Sequence, residues 1–398
     1  MPIQWPKGKR PVFVGSGSTM CRRYFDGTKS SRANEAALMA IEDAGLTVDD
    51  IDGIYIWADP NWGPNQRGDI KVWLDVPHMM SVVNWKNIRH WIQTDSPAAG
   101  PCGGPQLAAM ALGAGVCNNA LVIRTGHHPA GVRYRQVSGG TAGGSAALTT
   151  VYGHGVGGSG QAITYQRYLE KYGAKREEMA TVVLNGHANG QRNENSVWRG
   201  REISYDDYVN ARIISWPMTL FDYDMPVDGA GAIIMTTEDR AADTPHPGGY
   251  IAGYATTPHN LAGNGVMETL EDLYTMDRLH ATNLYESAGM GPEDIDVLHL
   301  YDGFSPMTWT RMETFGFCGE GEAHAWATPE RIGFGGELPF NTSGGNLGEG
   351  RLHGMTHVAE TARQMMGTAG ERQVEGAEIA LCEVGPFGMG ASFICTRD

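Results

Sequence analysis

The stretch Ala288–Phe304, AGMGPEDIDVLHLYDGF, has a counterpart at Ala44–Asp59, AGLTVDDIDGIYIWAD. Both hold Ala-Gly, a large apolar residue, Asp-Ile-Asp and then alternating apolar positions, and Glu42 and Glu286 keep the same offset upstream. The two copies begin 244 residues apart, far beyond the period of a solenoid, so the chain reads as two halves built on one plan. Each copy predicts a helix closed by glycine, a short acidic turn and a buried strand. The second strand runs straight into Tyr301-Asp302-Gly303-Phe304, which places polar groups at its carboxyl end. In open α/β sheets that is where ligands bind.

Working outward, 398 residues hold one large duplicated unit or two domains, and 41% apolar residues supply a proper core. A net charge of −15 argues against nucleic acid or an anionic membrane as the main partner. Cys21, Cys102, Cys117, Cys318, Cys382 and Cys395 include no CxxC pair, which fits reduced thiols in a cytoplasmic protein. No signal-peptide core or run of transmembrane length stands out. The 55 glycines follow no period and mark tight turns and close backbone approaches.

Strands are expected at 11–15, 54–57, 120–124, 230–236, 250–255, 297–301, 379–384 and 391–396, with helices between them. The helix over 31–45 is expected to bury Ala37, Leu38, Ile41 and Ala44. The Ala-rich segment 105–115 reads as a helix apolar on all sides, hence buried. Residues 60–95, with Trp62, Trp73, Trp85 and Trp91, read as a lid or interface segment, and 127–225 as a loop and cap region. The polar, Pro-rich stretch 239–249 divides the halves at 1–240 and 241–398. The fold class is α/β with largely buried sheets.

Four blocks taken in order carry a resemblance: Pro217…Asp228-Gly229-Ala230, the strand ending in Tyr301-Asp302-Gly303-Phe304, the turn Asn341-Thr342-Ser343-Gly344-Gly345…Gly350, and Gly385-Pro386-Phe387-Gly388-Met389-Gly390. Over the whole chain they resemble the thiolase superfamily, in particular its sterol-carrier or lipid-transfer branch. That resemblance implies duplicated βαβ halves layered α-β-α-β-α. In working thiolases a cysteine opens the buried helix of the first half. Here that position falls at Ala98 or Ala99, with Cys102 a few residues on. The family's Gly-His-Pro turn reads Gly350-Arg351-Leu352, with His353 two places late, and Cys382 stands about two residues early for the second cysteine. Tyr301 heads the remaining block. A frame kept without its nucleophile resembles the thiolase-like aldolases that shorten the side chains of steroid CoA thioesters. They work with a small OB-fold and zinc-ribbon protein of the DUF35 type and use a second tyrosine near the Gly-x-Leu turn, where this chain has Arg351.

Without a cysteine no acyl-enzyme forms, but a pocket that stabilises a thioester enolate still suits retro-aldol cleavage of a β-hydroxyacyl-CoA. Tyr301 is the candidate for the proton transfers. A phenol of pKa about 10 needs a nearby cation or donated hydrogen bonds to act near neutrality. Arg351 is the candidate cation, His353 the reprotonating acid. Asp302, Gly345 and the main chain of Gly388, Met389 and Gly390 are candidates for binding substrate and its oxyanion. His353, His357 and Glu360 share a helical spacing that metals use, yet no further ligand completes a set, so no metal or cofactor is expected in this chain and zinc only in the partner. Gly153-x-Gly155-x-Gly157-Gly158 lacks the strand and helix of a dinucleotide site. The resemblance implies a homodimer, joined by the Ala-rich helix and its neighbouring strand, that forms a heterotetramer with the partner. The alternatives are an acyltransferase or thiolase using Cys102 or Cys382, and a non-catalytic lipid-binding subunit.

Overall fold

The doubled Asp-Ile-Asp acquires a physical meaning in the computed structural model, which describes residues 1–57, 74–94, 102–127, 158–258, 269–385 and 389–398. A left-handed glycine ends the helix in each copy, with φ 66° at Gly45 and 70° at Gly289. The first aspartate then closes the turn: Asp50 accepts the Thr47 N–H and Asp294 the Gly291 N–H, both at 2.8 Å. The second aspartate reaches sideways. Asp52 accepts the N–H groups of Asn118 and Asn119 at 2.8 and 2.9 Å, and Asp296 those of Glu378 and Ile379, both at 2.9 Å. Each half thereby fastens its helix–strand unit to the entry of the strand that will lie beside it.

The first half runs β1 (Pro11–Ser18), α1 (Lys29–Asp43), β2 (Gly53–Trp57), α2 (Val76–Val82), β3 (His90–Thr94), α3 (Gly103–Gly113) and β4 (Ala120–Gly126). A cap follows, with α4 (Ser159–Tyr172), α5 (Ala180–Gln191) and the hairpin β5 (Ile213–Ser215)/β6 (Met218–Thr219), before β7 (Gly229–Thr237) returns to the sheet. The second half has β8 (Gly248–Pro258), α6 (Leu270–Ala288), β9 (Val297–Leu300), α7 (Pro306–Thr314), α8 (Met355–Met366), β10 (Ile379–Glu383) and β11 (Met389–Thr396), with single-turn helices between some of them.

Among the described residues nine strands form one mixed sheet in the order β3-β2-β4-β7-β1-β8-β11-β10-β9. The order on one side of the β1/β8 seam is repeated in reverse on the other. Phe340, bridged to Leu298, stands beside β9 where β3 stands beside β2. Parallel pairs join β2 to β3 and β4, and β9 to β10; the other ladders are antiparallel. The seam itself holds only two pairs, Val12↔Tyr250 and Phe13↔Gly248.

Helix α1 covers β1 and β7 from outside, and α6 covers β8 and β11. Helices α3 and α8 touch strands of both halves and fill the middle, which gives the α-β-α-β-α layering. As its apolar sequence predicts, α3 is a buried helix, with Ala108, Ala109, Ala111 and Leu112 packed inside their own chain. Helix α1 begins two residues earlier than expected because Thr28 accepts the Ser31 N–H at 3.0 Å as its cap. Its buried face is Ala33, Ala36, Ala37, Ala40 and Ile41, while Leu38 faces solvent. Small side chains are needed there because the helix lies directly on β1; a Cβ at Gly15 would run into the Ala40 carbonyl.

The Trp-rich segment is partly sheet and not wholly a lid. β3 pairs with β2, Trp85 is buried and donates to Asn34 Oδ1 at 3.0 Å, and Trp91 is 52% exposed on the edge strand. Trp62, Trp73, Ala98, Ala99, Gly153, Gly155, Gly157 and Gly388 lie outside the described residues. No helix among the described residues is long and apolar enough to cross a membrane.

Candidate active site

Four segments meet beyond the carboxyl ends of β9 and β10: Tyr301–Phe304, the turn Asn341–Leu352, the strap Asp222–Asp228 and the end of β10 at Glu383–Gly385. The turn is fastened by polar groups imitating a strand. Asn341, at φ 46°, accepts the Leu300 N–H at 3.1 Å and donates to the Leu300 carbonyl at 3.0 Å. Asp302 then accepts the N–H groups of Asn346 at 2.7 Å and Leu347 at 3.3 Å. The Asp302 carboxylate lies where a Cβ on Gly345 would stand, so that glycine, at φ 62°, has no room for a side chain. Asp302 and Gly345 thus build the turn.

Tyr301 is 2% exposed, and its main-chain N–H meets the Glu383 carbonyl at 3.0 Å and Glu383 Oε2 at 3.2 Å. Its ring folds back over Gly303, so that a Cβ there would stand 2.7 Å from the phenol oxygen. The strap passes over the same place, with Asp224 N–H donating to the Gly303 carbonyl at 3.2 Å. On the other side the His357 ring centre is 6.3 Å from that of Tyr301, and His357 Nε2 stands 3.1 Å from Asp302 Oδ1.

Arg351 is held by the strap: its N–H donates to the Met225 carbonyl at 2.8 Å, and its Nε lies 3.8 Å from Oδ1 of the buried Asp224. His353 turns toward the first half. At φ 50° it places its ring 5.3 Å from that of Trp57, and Nδ1 meets Arg124 Nη2. Arginine has no acceptor, so Nδ1 is the bare nitrogen and the imidazole proton sits on Nε2. Arg124 is itself fixed, donating to the carbonyls of Leu352 at 3.2 Å and Trp57 at 3.3 Å and stacking on the Trp57 ring.

The helical metal spacing dissolves. His353 precedes α8, His357 faces Asp302, and Glu360 pairs with Arg372 at 3.1 Å. No cluster of three metal-ligating side chains occurs among the described residues. Met389 and Gly390 open strand β11, in register with Pro258 and Thr257, and the His280 ring packs on Gly390. They are ladder residues, where a free turn was expected.

Cys102 and Cys382 are both buried in the core with their sulfurs 3.6 Å apart. Burial pushes the Cys102 thiol well above its ordinary range, and its neighbour Cys382 adds to the rise. Such a thiol stays protonated and makes a poor nucleophile.

Asp224, Arg311, Glu383 and Arg124 were not singled out from sequence. Asp224 lies in the quoted Pro217–Asp228 block, which gave a signal; the other three carry none, because each acts on a segment distant along the chain.

A model of the thiolase C-terminal domain-like family matches residues 266–394. A steroid side-chain-cleaving aldolase of Thermomonospora curvata is 29% identical over 372 residues, covering 90% of each chain. A 17-hydroxy-3-oxo-4-pregnene-20-carboxyl-CoA lyase of Mycobacterium tuberculosis is 28% identical over 385 residues, covering 94% of this chain and 96% of the relative. Among solved structures, the Ltp2-ChsH2(DUF35) aldolase superposes with a TM-score of 0.85 at 27% identity, over 98% of both chains. The resemblance drawn from the four sequence blocks is met in both sequence and fold.

Proposed function

Taking a thiolase-fold chain similar over nine-tenths of its length to steroid side-chain-cleaving aldolases as the premise, we propose that it is a carbon–carbon lyase acting on a β-hydroxyacyl-CoA thioester. The β-hydroxyl loses its proton, the Cα–Cβ bond breaks and its electron pair passes into the thioester enolate. The new carbonyl leaves as a ketone or aldehyde, and a proton returned to Cα releases a short acyl-CoA. No covalent enzyme intermediate is needed.

The observation that carries this reading is the contrast between Tyr301 and the thiols. Tyr301 shares a buried cluster with Cys102 and Cys382, but its phenol packs at the strand end against Gly303 with the His357 ring 6.3 Å away, while the two sulfurs face each other. Tyr301 is assigned the proton transfers, which need it within hydrogen-bond reach of the substrate hydroxyl. His353, with its proton on Nε2, is suited to donate a hydrogen bond to the thioester oxygen or a proton to Cα. Arg351 supplies positive charge at the pocket edge, balanced by Asp224.

The proposed partner is a DUF35-type protein, in keeping with the name of the solved relative, and zinc is expected only in that partner. The chain is assigned to the cytoplasm as a homodimer paired through β3, whose outer edge is unpaired among the described residues and carries exposed Trp91. The test is co-expression with the DUF35-type protein, co-purification, and incubation with 17-hydroxy-3-oxo-4-pregnene-20-carboxyl-CoA. A ketone and a shorter acyl-CoA in equal amounts support the proposal. An acyl group on cysteine, or an intact substrate with the purified complex, refutes it.

A further inference from the structure

Arg311 on α7 and Glu383 on β10 form an ion pair with Nε to Oε2 at 3.1 Å, and their side chains are only 6% and 2% exposed. A buried pair of this kind is weak evidence for stability, since apolar side chains of similar volume often serve a fold as well. What this pair holds is more telling. Arg311 Nη1 donates to the Tyr301 carbonyl at 3.0 Å, and Nη2 donates to the Gly385 carbonyl. Glu383 Oε2 accepts the Tyr301 N–H at 3.2 Å. Both main-chain polar groups of Tyr301 are therefore bonded to the pair, and the same guanidinium grips the root of the Gly385–Gly390 segment. The two carbonyls belong to the ends of adjacent parallel strands, where no further ladder holds them. A planar fork with donors in fixed directions can span both; an ammonium is a single point of charge.

We infer that Arg311 and Glu383 are positioning residues that lock the Tyr301 main chain to Gly385 at the end of the neighbouring strand and so aim the phenol at the substrate. Neither side chain touches the reacting atoms. The inference rests on the proposed role of Tyr301. It predicts that the clamp governs turnover and the ionisation-dependent part of the rate, with little influence on substrate affinity.

The complex with the DUF35-type protein is assayed on 17-hydroxy-3-oxo-4-pregnene-20-carboxyl-CoA in four forms: parent, Tyr301→Phe, R311K, and the apolar pair R311M/E383L. R311K keeps the charge and loses the fork. The pair variant removes the charges together, so neither is stranded in the core. In both, kcat is expected to fall about 10- to 100-fold with KM within about threefold, the scale on which misplacing a reacting group acts. The pH–rate profile should shift, and circular dichroism should match the parent. Parental kcat and pH profile in folded R311K would overturn the inference, whether or not the pair variant folds. Tyr301→Phe separates the two claims. If it still cleaves, the reading of Tyr301 falls; if it is inactive while R311K is not, only the clamp falls.

Discussion

A side chain at position 303 would compete with the Tyr301 phenol for one space, because a Cβ there stands 2.7 Å from the phenol oxygen and 2.6 Å from the ring. Gly303→Ala is therefore expected to push the ring aside and lower cleavage by at least about tenfold, the cost of a misaligned group. The melting temperature should move far less than the rate. Unchanged kcat in a folded variant would place the phenol outside the chemistry. The same residues show what a sequence can reveal at this scale. Tyr301 and Asp302 are legible because polar groups follow an apolar strand without a break. Arg311 and Glu383 are not, because their meaning lies in carbonyls at 301 and 385 that only the fold brings within reach of one guanidinium. His353 was legible as a residue but not as a tautomer, which is set by Arg124 in a strand of the other half.

Between elements, polar side chains do the fastening. Asp296 accepts two N–H groups at the entry of β10. Asp296→Ala leaves these half-exposed N–H groups to water and is expected to cost about 1 kcal/mol, read as a lower urea midpoint at an unchanged slope. Asp52→Ala should behave alike in the first half, since it holds the equivalent pair. Indifference of both variants would remove the stapling role.

His299 ties β9 to α8 and the turn, with Nδ1 2.7 Å from Thr361 Oγ1 and Nε2 3.2 Å from Thr342 Oγ1. Burial lowers its pKa to about 3, the nearby His357 acts in the same direction, and Glu360 and Asp302 oppose it. The folded ring thus stays neutral while the unfolded ring takes a proton below about 6.5. The contribution is complete above that value and is lost as pH falls toward about 3, amounting to about 2 kcal/mol by pH 5. Urea titrations at pH 7.5 and pH 5 should show this loss in the parent and a smaller one in His299→Gln. Equal losses would contradict the assignment. The strand and helix order was legible from periodicity, but helix ends were not. Thr28 moves one start, and the metal-like spacing of His353, His357 and Glu360 fails because α8 begins only at Met355.

For the whole molecule, the two Asp-Ile-Asp copies announced the duplication because each half must solve one problem, joining a helix and strand to the strand next door. The seam between halves was not legible, since β1 and β8 meet through only two pairs. The burial of α3 was legible from its apolar sequence, but not what buries it: an Ala-rich helix is suited equally to an interface between subunits and to a layer between two half-sheets. The β3 edge, with Trp91 exposed on it, is the surface proposed for self-association. Trp91→Glu is expected to shift the chain from dimer to monomer in light scattering at micromolar concentration, because a charge on an edge strand opposes pairing. A dimer of parental stability would move the interface elsewhere.

The central claim is that a phenol, and no thiol, carries the reaction. The most direct measurement compares Tyr301→Phe with Cys102→Ala, each purified with the DUF35-type partner and assayed for carbon–carbon cleavage of the CoA thioester. The account predicts that Tyr301→Phe loses cleavage by about a hundredfold or more while Cys102→Ala keeps the parental rate. Cleavage that survives in Tyr301→Phe and vanishes in folded Cys102→Ala would contradict it.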